Sequence, residues 1–291
     1  MTTMALTVAA VRKILNDRPV EDLLGAAVAS DSTTAITPTD VTLYAKGNVW
    51  EFADGTDGAE MYLVRSVDDA TPVLAVKRGH EDSTAVTHSN GAVMVKDPRF
   101  RYNTVAQAVN TTLDASLYED GVYDLIEHQV TSNSDGSQDY NAPASTCEEF
   151  LAVYQKLSTM DAPEWFGSSQ FTRYPKNVDT SLHSNGKVFF IKLNLGTPGT
   201  DIFYITCAHR LTITTLTATQ ERIVQWLACA YLLEWTEPRR TAGPTNQGDR
   251  TVRPGQAVGT AAYYRQLAER TIAAEKARLR KLNPPKKEWR R

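Results

Sequence analysis

Residues 60–95 read EMYLVRSVDDATPVLAVKRGHEDSTAVTHSNGAVMV, and this run decides the class of fold. Met61-Tyr62-Leu63-Val64 and Leu74-Ala75-Val76 are rich in the branched and aromatic residues that suit a pleated surface, and Asp68-Asp69 lies between them as a turn signal. Arg78-Gly79 opens a loop in which Gly79 can take a positive φ without steric cost. Ser83, Thr84, Thr87 and Ser89 offer short hydroxyls that tie a loop to its own backbone. His88 is placed to hydrogen-bond across that loop, and Asn90-Gly91 turns the chain into a last strand.

On either side the same texture continues. Val41–Ala45, Val49–Phe52, Met61–Val67, Val73–Lys77 and Ala92–Lys96 are β-prone and separated by turn residues, which predicts a small antiparallel barrel or sandwich. With a short helix over 8–17 it forms a first domain, residues 1–100. A helix over Thr104–Leu117, capped by Thr104 with Gln107 completing a capping box, makes a connector at 101–120. A second β domain follows. Tyr123–Val130, Phe171–Arg173, Val188–Leu193 and Ile202–Cys207 read as strands, and Asn185-Gly186 is a hairpin signal. In Phe150–Leu157, local helix signals (Ser145 with Glu148) compete with a strand reading, which is preferred. Ala218–Trp235 reads as a helix with a Thr217/Gln220 capping box, and its broad apolar face is expected to pack on this domain, giving 121–237. A Gly/Pro-rich linker (238–258) leads to a basic helix and tail (259–291) ended by Asn283-Pro284-Pro285. The expected fold class is α+β: two small antiparallel β domains, peripheral helices and a C-terminal amphipathic helix.

Composition is that of a folded chain, with 42% apolar and 22% charged residues over 291 positions, enough apolar mass for a real core. Met1–Arg12 shows no basic-then-apolar leader pattern, and no stretch approaches a membrane span, so a cytoplasmically made protein with no membrane partner is expected. Residues 259–291 hold ten Lys or Arg against three Glu, so the other 258 residues must carry −10 to reach the net −3. A basic tail on an acidic body points to docking on an acidic partner.

Signals for chemistry are weak. His80, His88, His128, His183 and His209 show no zinc-helix spacing, and there is no nucleophile elbow, P-loop or dinucleotide fingerprint. Cys147, Cys207 and Cys229 share no C-x-x-C spacing and read as small buried hydrophobes. Asn133, Asp135, Ser137 and Asp139 alternate like calcium ligands, but Gln138 and Ala144 stand where the glycine and the bidentate acid belong, so a polar turn is preferred. No catalysis, metal or cofactor is expected.

The decisive stretch resembles a segment of phage structural proteins, matched here by Glu60, Leu63, Val64, Leu74, Val76, Arg78, Gly79, Thr84, Ala85, His88, Gly91, Ala92 and Val95. Pro98-Arg99-Phe100, the 104–117 helix, a β-sandwich, an apolar helix and a Tyr/Arg/Ala-rich terminal helix then follow in the order found in head-to-tail adaptor (neck, or connector) proteins of long-tailed actinobacteriophages. The resemblance covers most of the chain; the segment around Arg78-Gly79 alone is also found in baseplate and fibre proteins. It implies a non-enzymatic virion protein of the neck, an oligomeric ring, a dodecamer, beneath the portal. Such a ring prolongs the DNA channel, lets packaged DNA pass without sequence-specific binding, and presents a platform to the next neck or tail-completion protein. In this class the C-terminal segment reaches into the portal.

The residues expected at that joint are Tyr263, Tyr264, Leu267, Ile272 and Leu279 as apolar contacts, with Arg278, Arg280, Lys281 and Trp289 as charged and aromatic ones. Arg78, Gly79, Thr84, His88 and Gly91 are expected to build a structural loop. The alternative reading is a glycan- or receptor-binding module of a tail fibre or baseplate.

Overall fold

The structure is a computed structural model. It describes residues 3–15, 17, 20–53, 60–68, 70–113, 117–133, 138–155, 164–165, 170–181, 186–192, 202–236, 245–247, 250–252 and 256–282. Its helices are α1 (Met4–Ile14), α2 (Tyr102–Thr111), the single turn α3 (Leu117–Glu119), α4 (Ala218–Thr236) and α5 (Gln256–Leu282). The chain is α+β with antiparallel sheets and divides into two compact units: residues 1–112 with 216–271, and residues 113–215 with 272–291. Among the described residues no helix is long and apolar enough to cross a membrane.

In the first unit, β1 (Glu21–Leu23), β2 (Ala35–Ile36), β3 (Val49–Phe52), β4 (Met61–Asp68), β5 (Val73–Lys77) and β6 (Val93–Lys96) form one sheet in the order β1-β6-β3-β4-β5-β2. The chain just past β1 meets the chain just past β2: Gly25 N–H donates to Thr37 O at 2.8 Å and Thr39 N–H to Leu23 O at 2.9 Å. The two edges thereby come together and the sheet curls into a half-barrel around Trp50, Phe52, Tyr62, Leu74 and Met94. Each of these large side chains is fully enclosed, and burying one contributes about 2–3 kcal/mol. Val41–Leu43 is a 3-10 turn instead of the expected strand, because the Asp40 carboxylate accepts the Thr42 N–H at 3.0 Å and the Thr42 hydroxyl at 2.6 Å, a local bond that competes with sheet pairing.

The helical layer of this unit hangs on one buried carboxylate. Arg12 of α1 reaches Glu51 of β3 at 2.5 Å and donates through Nε to Phe100 O at 2.9 Å. The other Glu51 oxygen accepts the Tyr102 N–H at 2.6 Å. Tyr102 is the first residue of α2, so Glu51 caps that helix from across the fold. The expected cap, Thr104, lies inside the helix instead, and α2 ends at Thr111 rather than 117. Asp17 fixes the preceding turn by accepting the Arg99 and Phe100 N–H groups at 3.3 and 3.0 Å. Burial raises the Glu51 carboxyl above its ordinary value, against the pull of the Arg12 charge.

Helix α4 begins as read. Thr217 N–H donates to Gln220 Oε1 at 2.9 Å and Gln220 N–H to Thr217 Oγ1 at 3.4 Å, a reciprocal capping box. Its expected docking site was the second β domain; instead it packs on α1 and α2. The apolar faces of those two helices, Val8 and Val11, Val105 and Val109, need a cover, and α4 presents buried Ile223, Val224, Leu227 and Leu232. An antiparallel pair, β14 (Thr245–Gln247) with β15 (Arg250–Val252), lies within the expected linker, and α5 starts at Gln256. The remainder of 237–255 lies outside the described residues.

In the second unit, β7 (Asp124–Thr131), β9 (Cys147–Gln155), β10 (Glu164–Trp165) and β13 (Ile202–His209) pair in the order β10-β9-β13-β7. A smaller sheet, β11-β12-β8, comes from β8 (Asp139–Asn141), β11 (Lys176–Asn177) and β12 (Lys187–Phe190). Phe150, Phe203, Ile205 and Cys207 of the large sheet share a core with Tyr140 and Phe189 of the small one, which makes a sandwich. Phe150 and Phe189 meet at 4.2 Å between ring centroids. Phe171 contributes an isolated bridge to Ile191 rather than a strand. The loop closing β11 and β12 is longer than a two-residue hairpin: Val178 N–H donates to Gly186 O at 2.9 Å.

Glu51→Ala is expected to leave a buried unpaired guanidinium and an uncapped helix, lowering stability by about 3–5 kcal/mol. Arg12→Met with Glu51→Gln, which keeps an oxygen for the Tyr102 N–H, should recover most of that loss. Urea denaturation of both variants decides it; equal losses in the two would mean that the ion pair is not what anchors α1 and α2.

Candidate functional site

The loop singled out in the sequence is built around Glu60, whose side chain is fully buried. Arg78 grips this carboxylate with both Nε and Nη2, a fork-to-fork pair. Gly79 N–H donates to Oε1 at 3.2 Å, Val86 N–H to Oε2 at 3.1 Å, and His88 Nε2 lies 3.1 Å from Oε2. Remaining donors of Arg78 reach Ser30 O and Thr33 O, both at 3.4 Å, and Val86 O. The His88 ring stacks on Phe52 at 3.7 Å between centroids. Gly79 adopts φ 60°, and a Cβ there would stand 2.9 Å from Ser83 O, so glycine is required; Gly91 turns at φ 81°. The hydroxyl that ties the loop is that of Ser83, bonded to Met61 N at 2.9 Å and His80 O at 2.8 Å, while Thr84 is exposed. Burial alone would raise the Glu60 carboxyl. The hydrogen bonds from Arg78, His88 and Val86 and the Arg78 charge outweigh it, and the carboxyl is held down at about 2. The site is a closed knot with every donor directed inward, which suits a structural role.

Helix α5 is the second feature the sequence marked. Its residues through Thr271 belong with the first unit and those from Ile272 with the second. Ala261, Ala268, Ile272, Glu275 and Leu279 are buried, so the narrow apolar stripe is already covered within this chain. Of the nine residues expected at a joint, Ile272 and Leu279 therefore face inward. Tyr264 is half-buried, with its hydroxyl donating to Ile14 O at 3.3 Å, and Leu267 is half-buried. Tyr263, 57% exposed, and the exposed Arg278, Arg280 and Lys281 face outward. Arg278 pairs with Glu275 at 2.6 and 2.8 Å. Trp289 lies outside the described residues.

Sequence reading passed over Arg265, which pairs in bidentate fashion with Glu234 of α4 at 2.8 and 2.6 Å and lies over the Tyr231 ring at 5.0 Å. The same corner of the first unit leaves Trp235 39% exposed. It also missed a cluster in the second unit: His128 of β7 with Cys207 and His209 of β13, whose ligand-type atoms all lie within 4.8 Å of one another. The signal available was Cys207-Ala208-His209, alternate residues that share one face of a strand. In the calcium-like stretch, Asn133 Nδ2 donates to Asp139 O at 2.9 Å, and 134–137 lie outside the described residues.

No protein-family model matches the chain, and no curated protein matches it.

A carboxyl lowered from 4.5 to about 2 contributes stability that is full above pH 4.5 and lost as pH falls toward 2, about 3 kcal/mol in all. Chemical denaturation followed across that window should show this acid limb, and Glu60→Gln should flatten it while lowering stability at neutral pH. An unchanged acid limb in the variant would remove Glu60 as its source.

Proposed function

We propose that the chain is a structural subunit of a phage neck, a head-to-tail adaptor that assembles as a ring beneath the portal, extends the DNA channel and performs no catalysis. The observation that carries this reading is the outward side of α5. Tyr263, Arg270, Arg280 and Lys281 are exposed there, with the cations gathered toward the C-terminal end, on a chain whose other 258 residues carry −10. Tyr and Arg are the residue types that most often carry binding energy at interfaces. Cations at a helix C-terminus are favoured by the helix dipole and remain available to an acidic partner.

The buried stripe changes how such a joint is built. Ile272 and Leu279 stabilise the subunit itself, and the portal meets the opposite, polar side of the helix. The acidic body supports the channel role, because carboxylates repel the phosphates of passing DNA and let it slide. The Glu60 knot and the Glu51 cap support it as well, since a scaffold subunit gains from buried ion pairs that hold its loops in one geometry.

Deleting 259–291 would also strip Ala261, Ala268, Ile272 and Leu279 from the core, so surface variants are the cleaner test. Tyr263→Ala combined with Arg270→Glu, Arg280→Glu and Lys281→Glu should leave the circular dichroism unchanged and weaken capture by purified portal rings by at least about tenfold. Negative-stain images of the wild-type chain with portal should show a ring stacked on a ring. Solitary molecules at high concentration with portal supplied would overturn the proposal, and a trimer with affinity for glycans would favour the fibre or baseplate reading.

A further inference from the structure

We propose that His128, Cys207 and His209 form a binding site for a zinc-class divalent transition-metal ion that staples β7 to β13. Two imidazoles and a thiol are the donor set that such an ion selects. His128 Nε2 and His209 Nε2 lie 2.9 Å apart, and the Cys207 sulfur lies within 4.8 Å of a ring nitrogen of each histidine. A tetrahedral ion with ordinary Zn–N and Zn–S bonds needs neighbouring donors about 3.3–3.6 Å apart. The two rings must therefore open by a few tenths of an ångström while the sulfur closes in, movements within reach of side-chain rotation.

The backbone arranges this convergence. Between β9 and β13 the register shifts twice, at Thr206/Cys207 and at Ala208/His209. Inward residues consequently fall every third position on β9 (Cys147, Phe150, Val153) against every second on β13 (Ile205, Cys207, His209). The extra residues of these bulges, Glu148 and Leu151, lie on β9, while β13 keeps a regular alternation and pairs with β7 in unbroken register, and that pairing brings the ligands together. On the other side of β13, His128 pairs with Ile205 and Ile126 with Cys207, which makes His128 the diagonal neighbour of Cys207 on the same face. His209 is also oriented from behind: its Nδ1 lies 3.0 Å from Thr146 Oγ1, the kind of outer partner that fixes which nitrogen faces a metal. His128 is only half-buried and leaves a way in. The fourth position is left to water.

Burial holds both imidazoles neutral at physiological pH, His209 at about 4 and His128 below its ordinary value, which is the ligating form. In the metal-free pair one Nε2–H bridges to the other Nε2. On binding, that proton shifts to Nδ1 of the ring that carried it, with no net change in charge. Where the ring is His209, Thr146 Oγ1 turns from donor to acceptor. Cys207 releases its thiol proton to solvent, so one proton leaves for each ion bound by these three ligands.

The test is titration of the full chain with Co²⁺ and Zn²⁺. Co²⁺ should bind at one per chain with both visible d–d bands and a near-ultraviolet thiolate-to-cobalt band, and Zn²⁺ should displace it and raise the melting temperature. Cys207→Ser should abolish the thiolate band. His128→Gln, at a half-exposed position that tolerates the change, should weaken binding by at least tenfold, and Thr146→Val, which removes only the orienting hydroxyl, by about 10–100-fold. Circular dichroism without metal confirms that each variant is folded. Absence of binding, cobalt bound without a thiolate band, or affinity unaffected by His128→Gln would each overturn the site.

Discussion

The Glu60 carboxylate is the constraint on which the first unit's architecture depends. A charge with no access to solvent is tolerated only when nearly every lone pair is met, and here Arg78, Gly79, Val86 and His88 meet them. Those partners come from the end of β5 and from the loop before β6, so one residue fixes where β5 stops and how the chain returns. Phe52 closes the arrangement from the β3 side by stacking on His88, with the Arg78 guanidinium 5.9 Å from the same ring. The half-barrel and its loop thus share one polar centre set against an apolar wall.

Local sequence made β3 and β5 legible, which begin and end where alternation and turn residues place them, but not the short β1 and β2, and it offered Val41–Ala45 as a strand where a 3-10 turn stands. What it hid were the long-range partners. Nothing near Tyr102 announces that its N–H is capped by a carboxylate 51 residues earlier, so the helix start was assigned to the nearest residue of capping type, Thr104. The amphipathic face of α4 was equally visible, but a broad apolar face says only that something covers it. That the cover is α1 and α2, with over 100 residues intervening, is a property of the whole topology.

Over Phe150–Leu157, where Ser145 and Glu148 gave the competing helix signal, the described residues belong to the strand Cys147–Gln155, as preferred. The two bulges put the inward residues Cys147, Phe150 and Val153 three apart, a spacing that imitates a helix in a segment that is a strand. The cluster has a different origin: β13 pairs with β7 in unbroken register, which sets His128 diagonally across from Cys207 on one face. For the α5 residues expected at a joint, composition was visible in the sequence and direction was not: the side that each tyrosine, leucine and arginine occupies depends on which part of the chain the helix lies against.

The two units are interleaved along the chain, and that ordering has a consequence during synthesis. The helices that seal the first unit's apolar layer come from opposite sides of the segment 113–215. On a translating ribosome α1 and α2 emerge with Val8, Val11, Val105 and Val109 uncovered, and α4 follows only after roughly 100 further residues, on the order of 5–20 seconds at ordinary elongation rates. Meanwhile the sandwich strands emerge beside an oily surface that is not theirs. Slower elongation through 113–215 therefore lengthens the time for which that apolar surface stays open to aggregation.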